Sequence, residues 1–147
     1  MYKNCIKRII DIILSLIIFI PLMLIVLIFG IFIKVEDKGP IFYCGNRLGM
    51  NKKVFRMYKL RSMKLNAPDL RNDDGTTFNS DNDPRLLKIG SFIRKTSIDE
   101  LPQIINVLKG DMSFIGPRPD LDSQIVYYEN SDKDQAKFLV KPGITGY

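Results

Sequence analysis

The 147-residue sequence predicts an α+β chain, mainly helical, with one long membrane-embedded segment ahead of a small compact domain. Three observations lead there. An uncharged run from Ile12 to Ile33 holds 19 apolar residues in 22. Beyond it, two short strand-like stretches precede a series of short helical ones. The net charge of +6 gathers on either side of the apolar run.

The apolar run comes first. Twenty-two residues at 1.5 Å each reach about 33 Å, enough for the ~30 Å hydrocarbon core. Its Leu, Ile, Phe and Val residues favour insertion by roughly −5 to −11 kcal/mol as an upper bound. Pro21 opposes this by only about 3 kcal/mol. Cleavage as a signal peptide is not expected: the run exceeds an h-region, and the only alanines, Ala67 and Ala136, lie far away. Both flanks are basic. Residues 1–11 carry Lys3, Lys7 and Arg8 against Asp11, and residues 34–64 carry nine Lys or Arg against Glu36 and Asp37. The positive-inside rule therefore draws both flanks to the cytoplasm. A re-entrant helix broken at Pro21 satisfies that. The alternative is a proline-kinked single span oriented by the more basic flank.

The expected division is a membrane segment over 1–35 and a domain over 36–147. Within the domain, Pro40–Arg47 and Val54–Leu60 are expected as strands joined through Gly49-Met50-Asn51. Residues 66–84, rich in Asn, Asp, Gly and Thr, are expected as an acidic loop ending in Asp83-Pro84-Arg85. Leu86–Arg94 is a short amphipathic piece. A helix should run from Ser97 or Asp99 to Lys109, with Leu101, Ile104, Ile105 and Leu108 on one stripe and Gly110 as its stop. Another is expected over Asp120–Asn130, and Lys141–Tyr147 is turn-rich.

Composition excludes several chemistries. There is no histidine, so no His general base, no Ser-His-Asp or Cys-His nucleophile and no His-bearing zinc site is available. Cys5 and Cys44 make neither a disulfide framework nor a CxxC. Carboxylates, Lys, Arg and hydroxyls remain. Asp99-Glu100 leads, although Ser97-Ile98-Asp99-Glu100 also fits a capping box and acidic residues suit a first helical turn. Around it stand cations: Arg94-Lys95 just before, Lys59 and Arg61 on one side of a strand by period two, and Arg118 held between Pro117 and Pro119. Arginine forks favour phosphate oxygens. A carboxylate pair among such cations beside a membrane suits a substrate with phosphates and a lipid tail. The basic collar fits anionic headgroups. No nucleic-acid partner is expected, since no zinc-finger, RNP or helix-turn-helix pattern accompanies it.

Several motifs in order resemble the bacterial sugar transferase family, the monotopic phosphoglycosyl transferases. They are Lys7-Arg8-Ile9-Ile10-Asp11, Lys38-Gly39-Pro40-Ile41-Phe42, Tyr58-Lys59-Leu60-Arg61-Ser62-Met63 and Asp83-Pro84-Arg85. Further along come Arg94 through Gln103, Asn106 through Ser113, Gly116-Pro117-Arg118-Pro119 and Pro142-Gly143-Ile144-Thr145-Gly146. The stretch from Arg94 to Pro119 is the most specific.

The resemblance implies transfer of a sugar-1-phosphate from a UDP-sugar to undecaprenyl phosphate, with release of UMP, at the start of capsule, O-antigen, exopolysaccharide or glycoprotein glycan assembly. It maps the nucleophile, which carries a phosphosugar-aspartate intermediate, to Asp99 and the adjacent acid to Glu100. Mg²⁺ is the implied cofactor, anchored by Asp99 and Glu100. Lys59, Arg61, Arg94 and Arg118 are assigned phosphate or nucleotide contacts. The resemblance favours the re-entrant helix, broken at a proline matching Pro21. It places the protein at the bacterial inner membrane with its catalytic domain on the cytoplasmic face. A homo-oligomer is compatible with it, and so is a non-catalytic membrane-anchored scaffold. Family chains continue for some tens of residues past Pro-Gly-Ile-Thr-Gly, often with a tryptophan where Tyr147 stands, so a C-terminally shortened member is expected.

Overall fold

A computed structural model describes residues 2–68, 70, 80, 83–129 and 135–146. Most of the expected acidic loop, and Asn130 and Tyr147, lie outside them. The chain is a mixture of helix and strand behind one long apolar helix, α1, Tyr2–Glu36.

By length and composition α1 is able to cross a membrane. Helical structure runs on across Pro21, the position where the sequence led us to expect a break, so the proline lies inside one element. A proline removes one N–H, the donor that would reach the carbonyl four residues back. That is one missing bond among many turns of apolar side chains. Asp11, Ser15, Leu22, Val26, Gly30 and Ile33 are buried and recur at helical spacing on one stripe. The rest of the surface is apolar and exposed, Ile17, Ile20, Leu24 and Leu27 among it. A helix apolar on every side but docked along one is built for lipid on the others.

Both ends of α1 are fastened to the domain. At the N-terminal end Lys7 Nζ donates to Ser113 Oγ at 2.5 Å and to the Ile115 carbonyl at 3.0 Å. Ser113 Oγ in turn donates to Asp11 Oδ2 at 2.8 Å. Arg8 donates to the Val107 and Leu108 carbonyls. At the other end Glu36 Oε1 accepts the Lys88 backbone N–H at 2.6 Å. That carboxylate supplies the start of the next helix with the acceptor its own N-cap, Leu87, lacks.

β1 (Phe42–Leu48) and β2 (Val54–Leu60) form an antiparallel hairpin in which Tyr43 faces Lys59, Gly45 faces Met57 and Arg47 faces Phe55. α2 (Lys88–Lys95) follows the acidic region. The helix expected from Ser97 or Asp99 proves to be two pieces: a 3-10 stretch, Ile98–Gln103, and then α3, Ile104–Lys109. Pro102 accounts for the split, because it brings no N–H to an α-helical ladder. Gly110 ends α3 with φ 90°, as expected of a stop.

Two strands went unforeseen. β3 (Ser113–Ile115) pairs in parallel with β4 (Gly143–Thr145), across a connection holding a 3-10 turn at Asp122–Gln124, α4 (Ile125–Glu129) and a 3-10 turn at Gln135–Leu139. Their backbones approach so closely that a Cβ on Gly143 would stand 2.1 Å from the Gly116 nitrogen, and one on Gly116 would stand 2.3 Å from the Lys141 carbonyl oxygen. The turn-like glycines of these segments therefore serve close backbone contact. Each strand is three residues long, too short to show an alternating pattern.

Two cores hold the parts. Leu22, Val26 and Ile33 of α1 pack with Leu60, Leu87, Ile93 and Ile104, and Phe29 stacks on Phe92 at 6.0 Å. Phe55 and Met57 of β2 pack with Val107 and Met112. Asn106, fully buried, joins the hairpin to α3: its Oδ1 accepts the Tyr58 N–H at 3.0 Å and its Nδ2 donates to the Arg56 carbonyl at 2.7 Å. It substitutes for a missing neighbouring strand.

Candidate functional site

Asp99 lies in the 3-10 stretch, directly after Ser97, whose backbone is left-handed at φ 56°. Ser97 makes no side-chain cap, so the capping-box reading fails here. The pair instead faces β2. Lys59 Nζ stands 2.7 Å from Glu100 Oε1 and 3.7 Å from Asp99 Oδ2. The three side chains are only 12 to 28% exposed. Glu100 thus takes the shorter contact with the ammonium, and Asp99 is held near it without a close bond.

Burial raises the Asp99 carboxyl above the ordinary range, and the charge of Glu100 adds to this. The positive charges of Lys59 and Arg94 work against the rise. A partly desolvated carboxylate of raised basicity is a better nucleophile than a solvated one, provided a cation is close enough to keep it ionised. Lys59 and Arg94 supply that.

Of the predicted site residues, the structure brings Asp99, Glu100, Lys59 and Arg94 together. Arg94, in the last turn of α2, acts electrostatically on both Asp99 and Asp83. Arg61 is differently employed. Its Nη1 pairs with Asp37 Oδ2 at 2.5 Å, Nε donates to the Pro40 carbonyl at 2.6 Å and Nη2 to the Asp37 carbonyl at 2.8 Å. Buried and with its fork occupied, it fastens the segment after α1 to the end of β2. Arg118 is exposed at the far end of the hairpin, beside a shallow cleft it lines with Leu48, Asp120, Lys137 and Phe138. Pro21 is exposed within α1.

No cluster of three or more acidic or cysteine side chains suited to a metal exists among the described residues. Asp99 and Glu100 still match the donor set Mg²⁺ prefers, one or two carboxylates completed by substrate phosphates and water. Lys59 holds one oxygen of each within 4 Å.

Sequence reasoning missed Arg47. Its Nε is buried and has no hydrogen-bond partner, and burial lowers its pKa. Only the register of β1 shows that it shares a hairpin face with Lys59.

Residues 2–147 match the model of the bacterial sugar transferase family. The chain is 48% identical over 118 residues to galactosyl transferase CpsE of Streptococcus agalactiae serotype III (strain NEM316), covering 76% of this chain and 26% of that protein. It is 42% identical to the UDP-N-acetylgalactosamine-undecaprenyl-phosphate N-acetylgalactosaminephosphotransferase of Aeromonas hydrophila, covering 97% of this chain and 33% of the relative. With the UDP-glucose:undecaprenyl-phosphate glucose-1-phosphate transferase of Escherichia coli (strain K12) the identity is 38%, over 99% of this chain and 31% of the relative. The chain thus spans about a third or less of these relatives, and 62% of one from Bacillus subtilis (strain 168). Family match and ordered motifs agree across the whole described domain: the chain belongs to the bacterial sugar transferase family.

Proposed function

We propose that this protein transfers a sugar-1-phosphate from a UDP-sugar to undecaprenyl phosphate through a covalent intermediate on Asp99. The observation that carries the reading is the buried Asp99 carboxylate beside Lys59, with Glu100 taking the closer contact to the ammonium. A carboxylate oxygen of Asp99 attacks the sugar-proximal phosphorus, and the bond to the bridging oxygen breaks as UMP leaves. The phosphate of the lipid then attacks the same phosphorus, and the Asp99–phosphorus bond breaks to restore the carboxylate. No proton need be moved by histidine at either step. Lys59 and Arg94 offset charge on the diphosphate and keep Asp99 ionised. Arg61 we read as scaffold. Asp99 and Glu100 are the residues that would hold Mg²⁺, which offsets phosphoryl charge when bound.

The test is UMP release and lipid-linked sugar formation by the full chain in nanodiscs, across a panel of UDP-sugars with undecaprenyl phosphate and Mg²⁺. At least one donor should give both products in equal amount. Binding of donors with no turnover on any of them would sink the reading and leave a scaffold.

The same proposal takes α1 as re-entrant and the domain as cytoplasmic, at the inner membrane. Support comes from the two docked ends. Lys7 and Glu36 lie about 44 Å apart along a straight helix at 1.5 Å per residue. A domain of about 110 residues is only roughly 35 Å across, judged from a radius of gyration near 13 Å. A bend at Pro21 would let both ends meet one domain, on one side of the bilayer. Cys5, exposed near the N-terminus, provides the check. In a Cys44→Ser background, an impermeant maleimide should label Cys5 in inside-out vesicles and not in intact cells. Labelling from outside the cell would establish a single span instead.

A further inference from the structure

Among the described residues β1 and β2 form a two-stranded sheet, and a lone hairpin is only marginally stable in water. Phe55 and Met57 pack it on Val107 and Met112. Apolar packing is non-directional, so it does not by itself fix where a strand lies along its own axis. Directional bonds do. On the β1 side Lys59 lies opposite Tyr43. On the other side the bonds come from Asn106.

The Arg61 N–H donates to the Ile41 carbonyl at 2.9 Å, so the odd-numbered residues of β2 bond to β1. Arg56 and Tyr58 therefore turn their backbone groups to the outer edge. One carboxamide meets both: Asn106 accepts the Tyr58 N–H at 3.0 Å and donates to the Arg56 carbonyl at 2.7 Å. Nδ2 also donates to Asp111 Oδ2 at 3.3 Å, which settles the way the amide faces. An ionised aspartate would have no donor for Arg56, and a glutamine is one methylene longer. The root of the side chain is equally held. The Asn106 carbonyl accepts the N–H groups of Gly110, Asp111 and Met112 at 3.0, 3.0 and 3.2 Å. Arg8 donates to the next two carbonyls, those of Val107 and Leu108.

Asn106 belongs to the same continuous run, residues 98–109, that carries Asp99 and Glu100. That run grips β2 twice. Asn106 holds Arg56 and Tyr58 through buried, neutral bonds, and the two carboxylates hold Lys59, the next residue along. A lysine ammonium on its flexible four-carbon stem has a wide reach. Its stations at 2.7 Å from Glu100 and 3.7 Å from Asp99 therefore depend on where the strand fixes its Cα.

We infer that Asn106 is a positioning residue for the transfer: its carboxamide sets β2 against residues 98–103 and so holds the Lys59 ammonium between Glu100 and Asp99. The inference rests on the reading proposed above, in which Lys59 offsets charge on the diphosphate that Asp99 attacks.

Asn106→Leu, close in volume, removes both bonds to β2. In the full chain in nanodiscs, with the donor that the panel above selects, its kcat for UMP release should fall by about tenfold to a hundredfold, with KM within about twofold. In a Lys59→Met background the same substitution should cost less than about threefold, because the ammonium it positions is gone. A merely structural residue would cost the same in both backgrounds. Acylation of Lys59 by an amine-reactive ester, read by mass spectrometry, needs no turnover. It should be several-fold faster in Asn106→Leu, while Lys137, held by Asp120 elsewhere in the domain, labels as before. Asn106→Asp keeps the acceptor for Tyr58 and loses the donor for Arg56. It should fall between on both readouts, and it decides the matter by them if the leucine variant does not fold. Equal losses with and without Lys59, a raised KM with unchanged kcat, or unchanged Lys59 labelling overturns the inference. Should the unsubstituted chain release no UMP from any donor while Lys59 labelling still depends on Asn106, the transfer reading fails and the positioning of Lys59 stands.

Discussion

Asp99→Asn is expected to lower UMP release by roughly 10⁴-fold or more, the scale seen when a nucleophile is removed, and at the same time to raise the melting temperature. The two effects share one cause. Burial raises the Asp99 carboxyl, so the folded state favours its protonated form more than the unfolded chain does. Such a group stabilises the fold below its unfolded value near 3.8 and loses that contribution as pH rises through the folded value. At neutral pH the ionised carboxylate is therefore a burden on the fold. Asn keeps the shape and removes the charge, leaving Lys59 to Glu100 at 2.7 Å. A gain of about 1 kcal/mol, some 4 °C for a domain of this size, is the expected order. The pH–rate profile of the unsubstituted enzyme follows the same logic. Its acid limb should lie above that of an ordinary aspartate, and Lys59→Met should move it higher still by removing an opposing positive charge. An active Asp99→Asn enzyme would reduce Asp99 to a packing residue. A lowered melting temperature would show that the ion pair outweighs burial.

How far the sequence reveals this site depends on the range of the interaction involved. The apolar helix is plain because its signal is a run of one residue type, and the hairpin because Val54–Leu60 and its partner are flanked by turn residues. Asp99, Glu100, Lys59 and Arg94 came from motifs, and the fold brings them together. What the sequence conceals is choice of partner. Lys59 and Arg61 look alike two residues apart, yet one meets Asp99 and Glu100 while the other closes on Asp37. Asp37 lies 24 positions earlier, and no local pattern links the two. The β3–β4 pair is hidden for the same reason, since three-residue strands carry too little alternation to be recognised. Arg47 needed register, which only a paired strand provides.

Asp83→Ala is expected to be the most destabilising single change in the described domain outside its apolar cores. Asp83 and Arg85 straddle Pro84 and close on each other: Arg85 Nη2 donates to Asp83 Oδ2 at 2.6 Å, its Nε to Oδ1 at 2.9 Å and its backbone N–H to the same Oδ1 at 2.9 Å. Their side chains are 0 and 5% exposed. The strap they form is laid on the segment after β2, through the Lys64 N–H to the Arg85 carbonyl at 2.8 Å and the Leu87 N–H to the Ser62 carbonyl at 3.0 Å. It leads directly into α2, which carries Arg94 toward Asp99. Removing the carboxylate takes from a buried guanidinium its bidentate ionic partner while the Nη1 bond to the Pro68 carbonyl remains, a loss of about 3 kcal/mol and a fall of roughly 10 °C in melting temperature. The pairing with Arg85 lowers Asp83 from 3.8 to about 2. A depressed carboxyl stabilises the fold above its unfolded value and ceases to do so as pH falls through its folded one. The unsubstituted protein should therefore lose stability between about pH 4 and pH 2, and Asp83→Ala should show a flatter profile across that window. Replacing both partners by apolar residues, Asp83→Leu with Arg85→Met, should recover much of the loss, because no buried guanidinium then lacks its carboxylate. If the single variant melts within a few degrees of the unsubstituted protein, or if the double variant is the less stable of the two, the strap is not held by this pair.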